Sequence, residues 1–317
     1  MTLFFVLAVS FMMVYLITPS IRYMALKASA IDKKNHRKIH RKIIAQLGGL
    51  AIYCGMWGGL SIVALLDPLF FKTNILLIMG FGICSTLMLL LGVYDDFQGS
   101  GATMKFIVQI VIALLFVRIG FKLERITFFN LIDIRLGLLS TPVTVLWLVG
   151  VTNAINLIDG LDGLATGIVA IASVFFCVYG VLFQEKFVIF TALALLGASL
   201  AFLRYNFHPA KIFLGDTGSL FLGFVMGSLA IWNSKSSLNY PFFFPAVVVL
   251  LIPITDTILA ILRRLARGQH LFRGDASHLH HYYIKRGLSQ TQVVTGFYVA
   301  TFILGLTSIL FFHGYKF

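Results

Sequence analysis

Charge is scarce in this sequence. Asp, Glu, Lys and Arg make up 12% of its 317 residues, about half the fraction found in soluble domains. Acids are scarcer still, 12 against 25 Lys and Arg, which leaves a formal net charge of +13. With 59% hydrophobic residues and a mean hydropathy of +0.94, a soluble globular domain is excluded. The composition is that of a polytopic membrane protein. Its positive excess points to basic loops beside anionic lipid, or to an anionic substrate, and not to nucleic acid. Cysteine is also sparse. Cys54, Cys84 and Cys177 lie in apolar runs without CxxC spacing, which excludes a disulfide framework or a thiolate metal site and predicts buried thiols. The N-terminus lacks a basic leader: "MTLFFVLAVSFMMVYLITPS" precedes its positive charges, as expected of an uncleaved helix whose N-terminus lies outside. No internal repeat or low-complexity tract divides the chain, so residues 1–317 read as one membrane domain.

About 20 apolar residues span a bilayer as a helix. Ten windows qualify, near 1–20, 46–66, 74–93, 103–121, 141–158, 161–182, 187–204, 217–233, 241–264 and 292–313, giving an all-α architecture. After the fourth window, "FKLERITFFNLIDIRLGLL" alternates in the manner of a small β-hairpin. Two loops stand apart: 21–45 is strongly basic, and 265–291 is polar, basic and rich in histidine. With the N-terminus outside, 17 of the 25 Lys and Arg fall on the cytoplasmic side, as the positive-inside rule requires.

The polar motifs then gather on that same face. "YDDF" ends the third helix with Asp95 and Asp96. Two carboxylates at a helix C-terminus oppose its dipole and call for a cationic partner, and neighbouring carboxylates separate their proton affinities, leaving one poised as a base. "NAINLIDGLDGLATG" joins the fifth and sixth helices. Its Asn153, Asn156 and Asp159 recur at a spacing of three, near one helical face, and Asp162 follows. Glycines after both aspartates break the helix and let backbone approach a ligand. Amide and carboxylate oxygens are the ligands that hard cations take. "RYNFHPAKIFLGDTGS" carries Asn206, Phe213 and Asp216, the last placed where a helix N-cap would stand. "DASHLHHYYIKRG" sets His278, His280 and His281 beside Arg273, a cluster suited to phosphate and sugar hydroxyls; its spacing is not one that zinc commonly uses.

"RKIH", "GGLAI", "DD", "NAINLIDGLDGLA", "FLGDTGS" and "HLHH" occur in the order found in polyprenyl-phosphate N-acetylhexosamine-1-phosphate transferases, and the resemblance covers nearly the whole chain. The length and the HxHH pattern look like the WecA/TagO branch; the MraY branch usually has a longer chain and an HHH run. The resemblance implies transfer of a sugar 1-phosphate, GlcNAc-1-phosphate first among the sugars, from a UDP-N-acetylhexosamine to undecaprenyl phosphate in the plasma membrane, with UMP released. It implies Mg2+, with Mn2+ as a substitute, held by Asn156 and Asp216. It implies Phe213 against uracil with Asp162 and Asn206 nearby, and Lys105 toward the lipid phosphate. Asp95 or Asp96 is then the general base or an orienter of that phosphate, and Asp159 is either catalytic or structural. Asn153, Arg273, His278, His280 and His281 complete the substrate side. An MraY-type phospho-MurNAc-pentapeptide transferase is one alternative. An ion-coupled transporter is another, against which the gathering of acids at helix ends counts. A homodimer is compatible with the sequence but not fixed by it. In one place the chain departs from the family: prolines commonly precede "GGLAI", whereas this chain reads "KIIAQLGGLAI". A more flexible loop is expected there, and Arg41 and Lys42 are given no role.

Overall fold

The computed structural model of the protein describes residues 1–31, 44–128, 132–232, 243–268 and 278–313. Its helices are α1 (Thr2–Lys27), α2 (Gly48–Leu66), α3 (Pro68–Thr73), α4 (Ile75–Gln98), α5 (Ala102–Ile119), α6 (Ser140–Ile158) and α7 (Leu164–Leu182). They continue as α8 (Lys186–Asn206), α9 (Gly215–Trp232), α10 (Phe243–Val249), α11 (Leu251–Ala266), α12 (Leu279–Lys285) and α13 (Gln290–His313). Between α5 and α6 the alternating segment forms the expected antiparallel hairpin, β1 (Arg125–Phe128) with β2 (Ile132–Arg135), in which Ile126 faces Ile134 in register.

Among the described residues, eight helices are long and apolar enough to cross a membrane, or nine if the bent pair α10–α11 counts as one span. The remaining window, 217–233, coincides with α9. This helix begins with Gly-Asp-Thr-Gly-Ser, and every residue from Thr217 to Trp232 is buried. α4, α6 and α2 pack around it, so it forms the axis of the bundle. Apolar side chains on the outer helices, such as Leu65, Leu76, Leu146 and Leu310, point outward instead, where acyl chains would cover them.

The window at 241–264 is not one straight helix. α10 and α11 meet at an angle of 72°. Pro253 sits in the first turn of α11. Its ring conflicts with the carbonyl four residues earlier, that of Val249, where α10 ends. Leu251–Ala266 then runs with Ile258, Leu259, Ile261, Leu262 and Leu265 exposed and Pro253, Asp256, Ala260 and Arg264 buried. The apolar stripe faces out and the polar stripe faces in, as suits a helix beside a polar site in a membrane.

The close approach of α4 to α9 depends on Gly92. A Cβ there would lie 2.3 Å from the carbonyl oxygen of Asp216. Gly92→Val should lower the thermal unfolding midpoint in detergent, because overpacking of this kind costs about 1–3 kcal/mol. Gly150 in α6, with nothing within 4 Å of its would-be Cβ, should accept Ala with no loss. Equal midpoints for Gly92→Val and the unaltered protein would contradict this packing.

Candidate active site

The ends of α4, α5, α6 and α9 meet around one ammonium group. Lys105, in the first turn of α5, places Nζ 3.0 Å from Asp95 Oδ2 and 2.6 Å from Asp216 Oδ2. Ser100 also donates to Asp95 Oδ1. Asn156 Nδ2 donates to the other oxygen of Asp216 at 3.0 Å and to Ser219 Oγ at 2.8 Å. Three motifs far apart in the chain thus converge on Asp216. The cationic partner required by two acids at a helix C-terminus is Lys105 for Asp95.

Asp96 is satisfied differently. Its Oδ1 accepts from Asp216 N at 2.9 Å, and its Oδ2 accepts from Thr217 N at 3.0 Å and Thr217 Oγ1 at 2.6 Å. The first turn of α9 has unpaired N–H groups and the positive end of a helix dipole, and a carboxylate from another helix supplies both needs. Asp216 was expected at the N-cap; it lies inside the first turn of α9, and Asp96 fills the capping role from α4. Consecutive helical residues point about 100° apart, which is why two adjacent acids serve different neighbours.

Asn153 lies one turn deeper than Asn156. Its Nδ2 donates to Gln109 Oε1 at 2.5 Å and to Val149 O at 2.8 Å, so this predicted substrate contact ties α6 to α5. Asp162 Oδ2 takes His208 Nδ1 at 2.8 Å and Ala210 N at 3.1 Å. Asn206 donates to Ile212 O at 3.0 Å and accepts from Thr166 Oγ1 at 3.0 Å. Both residues therefore shape the loop that presents Phe213. The backbone of Phe213 is clamped on both sides, its N–H on Ala45 O at 2.8 Å and its carbonyl under Gly48 N at 3.0 Å. Gln46 N to Ala30 O and Gly49 N to Leu214 O add two further bonds. The flexible loop expected before "GGLAI" is thus a paired segment over residues 44–49: strand-like hydrogen bonds fix it without proline. Arg41, Lys42 and Arg273 lie outside the described residues.

The histidine loop divides. His278 Nδ1 lies 2.9 Å from Asp256 Oδ2, and the His278 and His280 rings are parallel, with centroids 5.7 Å apart. His280 is buried against the Asp159–Leu161 turn, where a Cβ on Gly160 would lie 2.3 Å from its Nε2. Burial, reinforced by the His281 and His278 rings, pushes the His280 imidazole down to about 3, so it is neutral near pH 7. Burial above all, then the carboxylates of Asp216, Asp96 and Asp162, hold the Asp159 carboxyl well above the usual range.

Among the described residues, no group of three His, Cys, Asp or Glu could by itself hold a metal ion. The donor set nevertheless suits Mg2+, which usually takes one or two carboxylates plus substrate phosphates and not an all-protein cage. Asp95 and Asp216 already share one cation, and the amide of Asn156 adjoins.

Residues 78–234 match the family model described as glycosyl transferase family 4. A probable undecaprenyl-phosphate N-acetylglucosaminyl 1-phosphate transferase of Bacillus subtilis (strain 168) is 37% identical over 303 residues, covering 95% of this chain and 83% of the relative. The chain belongs to the polyprenyl-phosphate N-acetylhexosamine-1-phosphate transferase family. A decaprenyl-phosphate N-acetylglucosaminephosphotransferase of Mycolicibacterium smegmatis is 31% identical, over 94% of this chain and 80% of its own. A phospho-N-acetylmuramoyl-pentapeptide-transferase of Staphylococcus aureus (strain JH9) is 29% identical, over 96% of each chain. Membership of a transferase family sets the transporter reading aside.

Residues missed in the sequence are Gln109, His208, Asp256 and Thr217. The first three are lone polar side chains in an apolar run or loop, and Thr217 stands beside Asp216 within "FLGDTGS"; the partner of each lies 22 to 121 residues away.

Two outcomes follow from this geometry. Asp96→Asn should lower the unfolding midpoint more than Asp95→Asn, because it leaves buried donors of α9 unmatched at about 1–3 kcal/mol each; equal midpoints would contradict the capping role. Asp159→Asn should stabilise the Mg2+-free protein at pH 7. A carboxyl whose folded pKa is raised disfavours folding at pH values above its unfolded pKa, and that cost vanishes once both states are protonated. The gain in midpoint should therefore shrink as pH falls and disappear by about pH 3. A gain that persists unchanged there would show that it does not come from charge.

Proposed function

We propose that this protein transfers N-acetylhexosamine 1-phosphate, with GlcNAc-1-phosphate the first choice, from a UDP-sugar to undecaprenyl phosphate at the cytoplasmic face of the plasma membrane. The observation that carries the reading is the Asp95–Lys105–Asp216–Asn156 cluster at helix ends, where a lipid phosphate and a soluble diphosphate can both arrive. The relatives named for GlcNAc transfer, at 37% and 31% identity, support the choice of sugar. The bias of Lys and Arg toward the loops on this side supports the cytoplasmic placement.

In the reaction, an oxygen of the lipid phosphate attacks the β-phosphorus of the UDP-sugar. The bond from that phosphorus to the bridging oxygen breaks, and UMP leaves with the bridging oxygen. Lys105 offsets the negative charge that builds where the two phosphates meet. Asp95, joined to Lys105 and Ser100, receives the proton when the lipid phosphate enters as a monoanion, and otherwise orients it. Asp96 acts at one remove, by fixing the first turn of α9 and with it Asp216. Mg2+, when held by Asp216, Asn156 and Asp95, would neutralise the diphosphate and polarise its phosphoryl oxygens. The rigid backbone around Phe213 sets its ring for uracil, an aromatic contact worth about 0.5–1.5 kcal/mol beyond burial.

Purified protein given undecaprenyl phosphate and a panel of UDP-sugars should release UMP from UDP-GlcNAc in a Mg2+-dependent manner. Asp95→Asn should retain nucleotide binding while its kcat falls about 10²–10⁴-fold. Preference for the UDP-MurNAc-pentapeptide would move the protein to the other branch. Turnover unaffected by chelation of divalent cations would remove the metal from the account.

A further inference from the structure

We infer that Asp256 is a positioning residue of the transferase, acting through His278; the inference rests on the function proposed above. Asp256 lies on the inward polar stripe of α11, and its side chain is 1% exposed. A buried carboxylate in a membrane helix needs partners for both oxygens. Oδ1 accepts from Leu279 N and Oδ2 meets His278 Nδ1, both at 2.9 Å. His278 is the N-cap residue of α12 and Leu279 its first residue. One carboxylate therefore grips the start of the next described helix, 22 residues further along the chain, at both backbone and ring.

This grip settles the chemistry of the imidazole. A carboxylate oxygen at Nδ1 keeps a proton on that nitrogen, so Nε2 is the nitrogen left for a ligand: an acceptor when the ring is neutral and a donor when it is protonated. The ring is also fixed in place. It stands parallel to His280, and His280 packs on Gly160 between Asp159 and Leu161. A continuous line of packed groups thus runs from the bent span to the turn that follows Asn156. The bend at Pro253 matters here, because it directs α11 so that its polar stripe meets α12. Asp256 thereby sets the orientation in which His278 meets the sugar-phosphate end of the donor.

Asp256→Asn is the informative variant. Its amide carbonyl can still accept from Leu279 N, while its NH2 group faces Nδ1 and forces the ring proton to Nε2. Three proteins, Asp256→Asn, His278→Ala and the double variant, are compared with the unaltered enzyme for UMP release and for calorimetric binding of UDP-GlcNAc and UMP. Removal of the carboxylate that orients a metal-ligating histidine costs about 10–100-fold, and a loss of the same order is expected for one that orients a phosphate-facing imidazole. The expected result is a loss of that size in kcat/KM by Asp256→Asn, UMP affinity within about twofold, and no further loss when the change is added to His278→Ala. A general structural defect would instead weaken UMP and UDP-GlcNAc equally, or lower activity as much in the His278→Ala background; either result overturns the inference. So does full activity of Asp256→Asn. An unaltered protein that turns over no UDP-sugar would overturn the parent function and this inference with it.

Discussion

Everything at the reacting end of this bundle depends on acidic side chains at helix ends finding positive charge across helices. Asp95 and Asp96 sit where the dipole of α4 is against them, in surroundings too apolar to leave them bare. Asp95 takes the Lys105 ammonium, which it shares with Asp216; Asp96 takes the N-terminus of α9. These bonds hold α4, α5 and α9 in fixed relation. They also leave two carboxylates facing one cation position, the arrangement a diphosphate chemistry can use.

α9 shows how packing and chemistry are linked. It is buried along its whole length from Thr217 and opens with small residues, so other helices come close to its first turn. Gly92 lets the α4 backbone reach the Asp216 carbonyl, and Asn156 reaches the Asp216 side chain from α6. The loop before α9 is held by Asp162, Asn206 and the paired segment at residues 44–49, so Phe213 is presented by fixed backbone.

Much of this was legible in the sequence. Spans and hairpin followed from apolar length and alternation, and the convergence of "DD", "NAINLIDGLDGLA" and "GDTGS" followed from their common side. The window at 217–233 reads as one more span, whereas α9, which opens with the small and polar Gly215–Ser219, falls short of the apolar length of the other spans and is enclosed by protein, an enclosure visible only in the packing. Nor did hydropathy register the bend after α10, which comes from the steric effect of Pro253 on one carbonyl. The separate duties of Asp95 and Asp96 were hidden by their adjacency, since the helix turn between them appears only in three dimensions. Gln109, His208 and Asp256 were illegible for another reason: a lone polar residue has no meaning until its distant partner is known. The missing prolines before "GGLAI" misled, because backbone hydrogen bonds between residues 45–49 and Phe213 and Leu214 do the same work.

The central proposal is that Asp95 and Asp216, which share the Lys105 ammonium, would take a divalent cation in its place when the donor binds. Mg2+ titration of Lys105→Met in detergent, without substrate, tests it most directly. Removal of the resident ammonium should tighten Mg2+ binding relative to the unaltered protein, while transfer is lost because the lipid phosphate has no counter-charge. Unchanged or weaker Mg2+ binding would show that the two carboxylates do not share a site that a dication can enter.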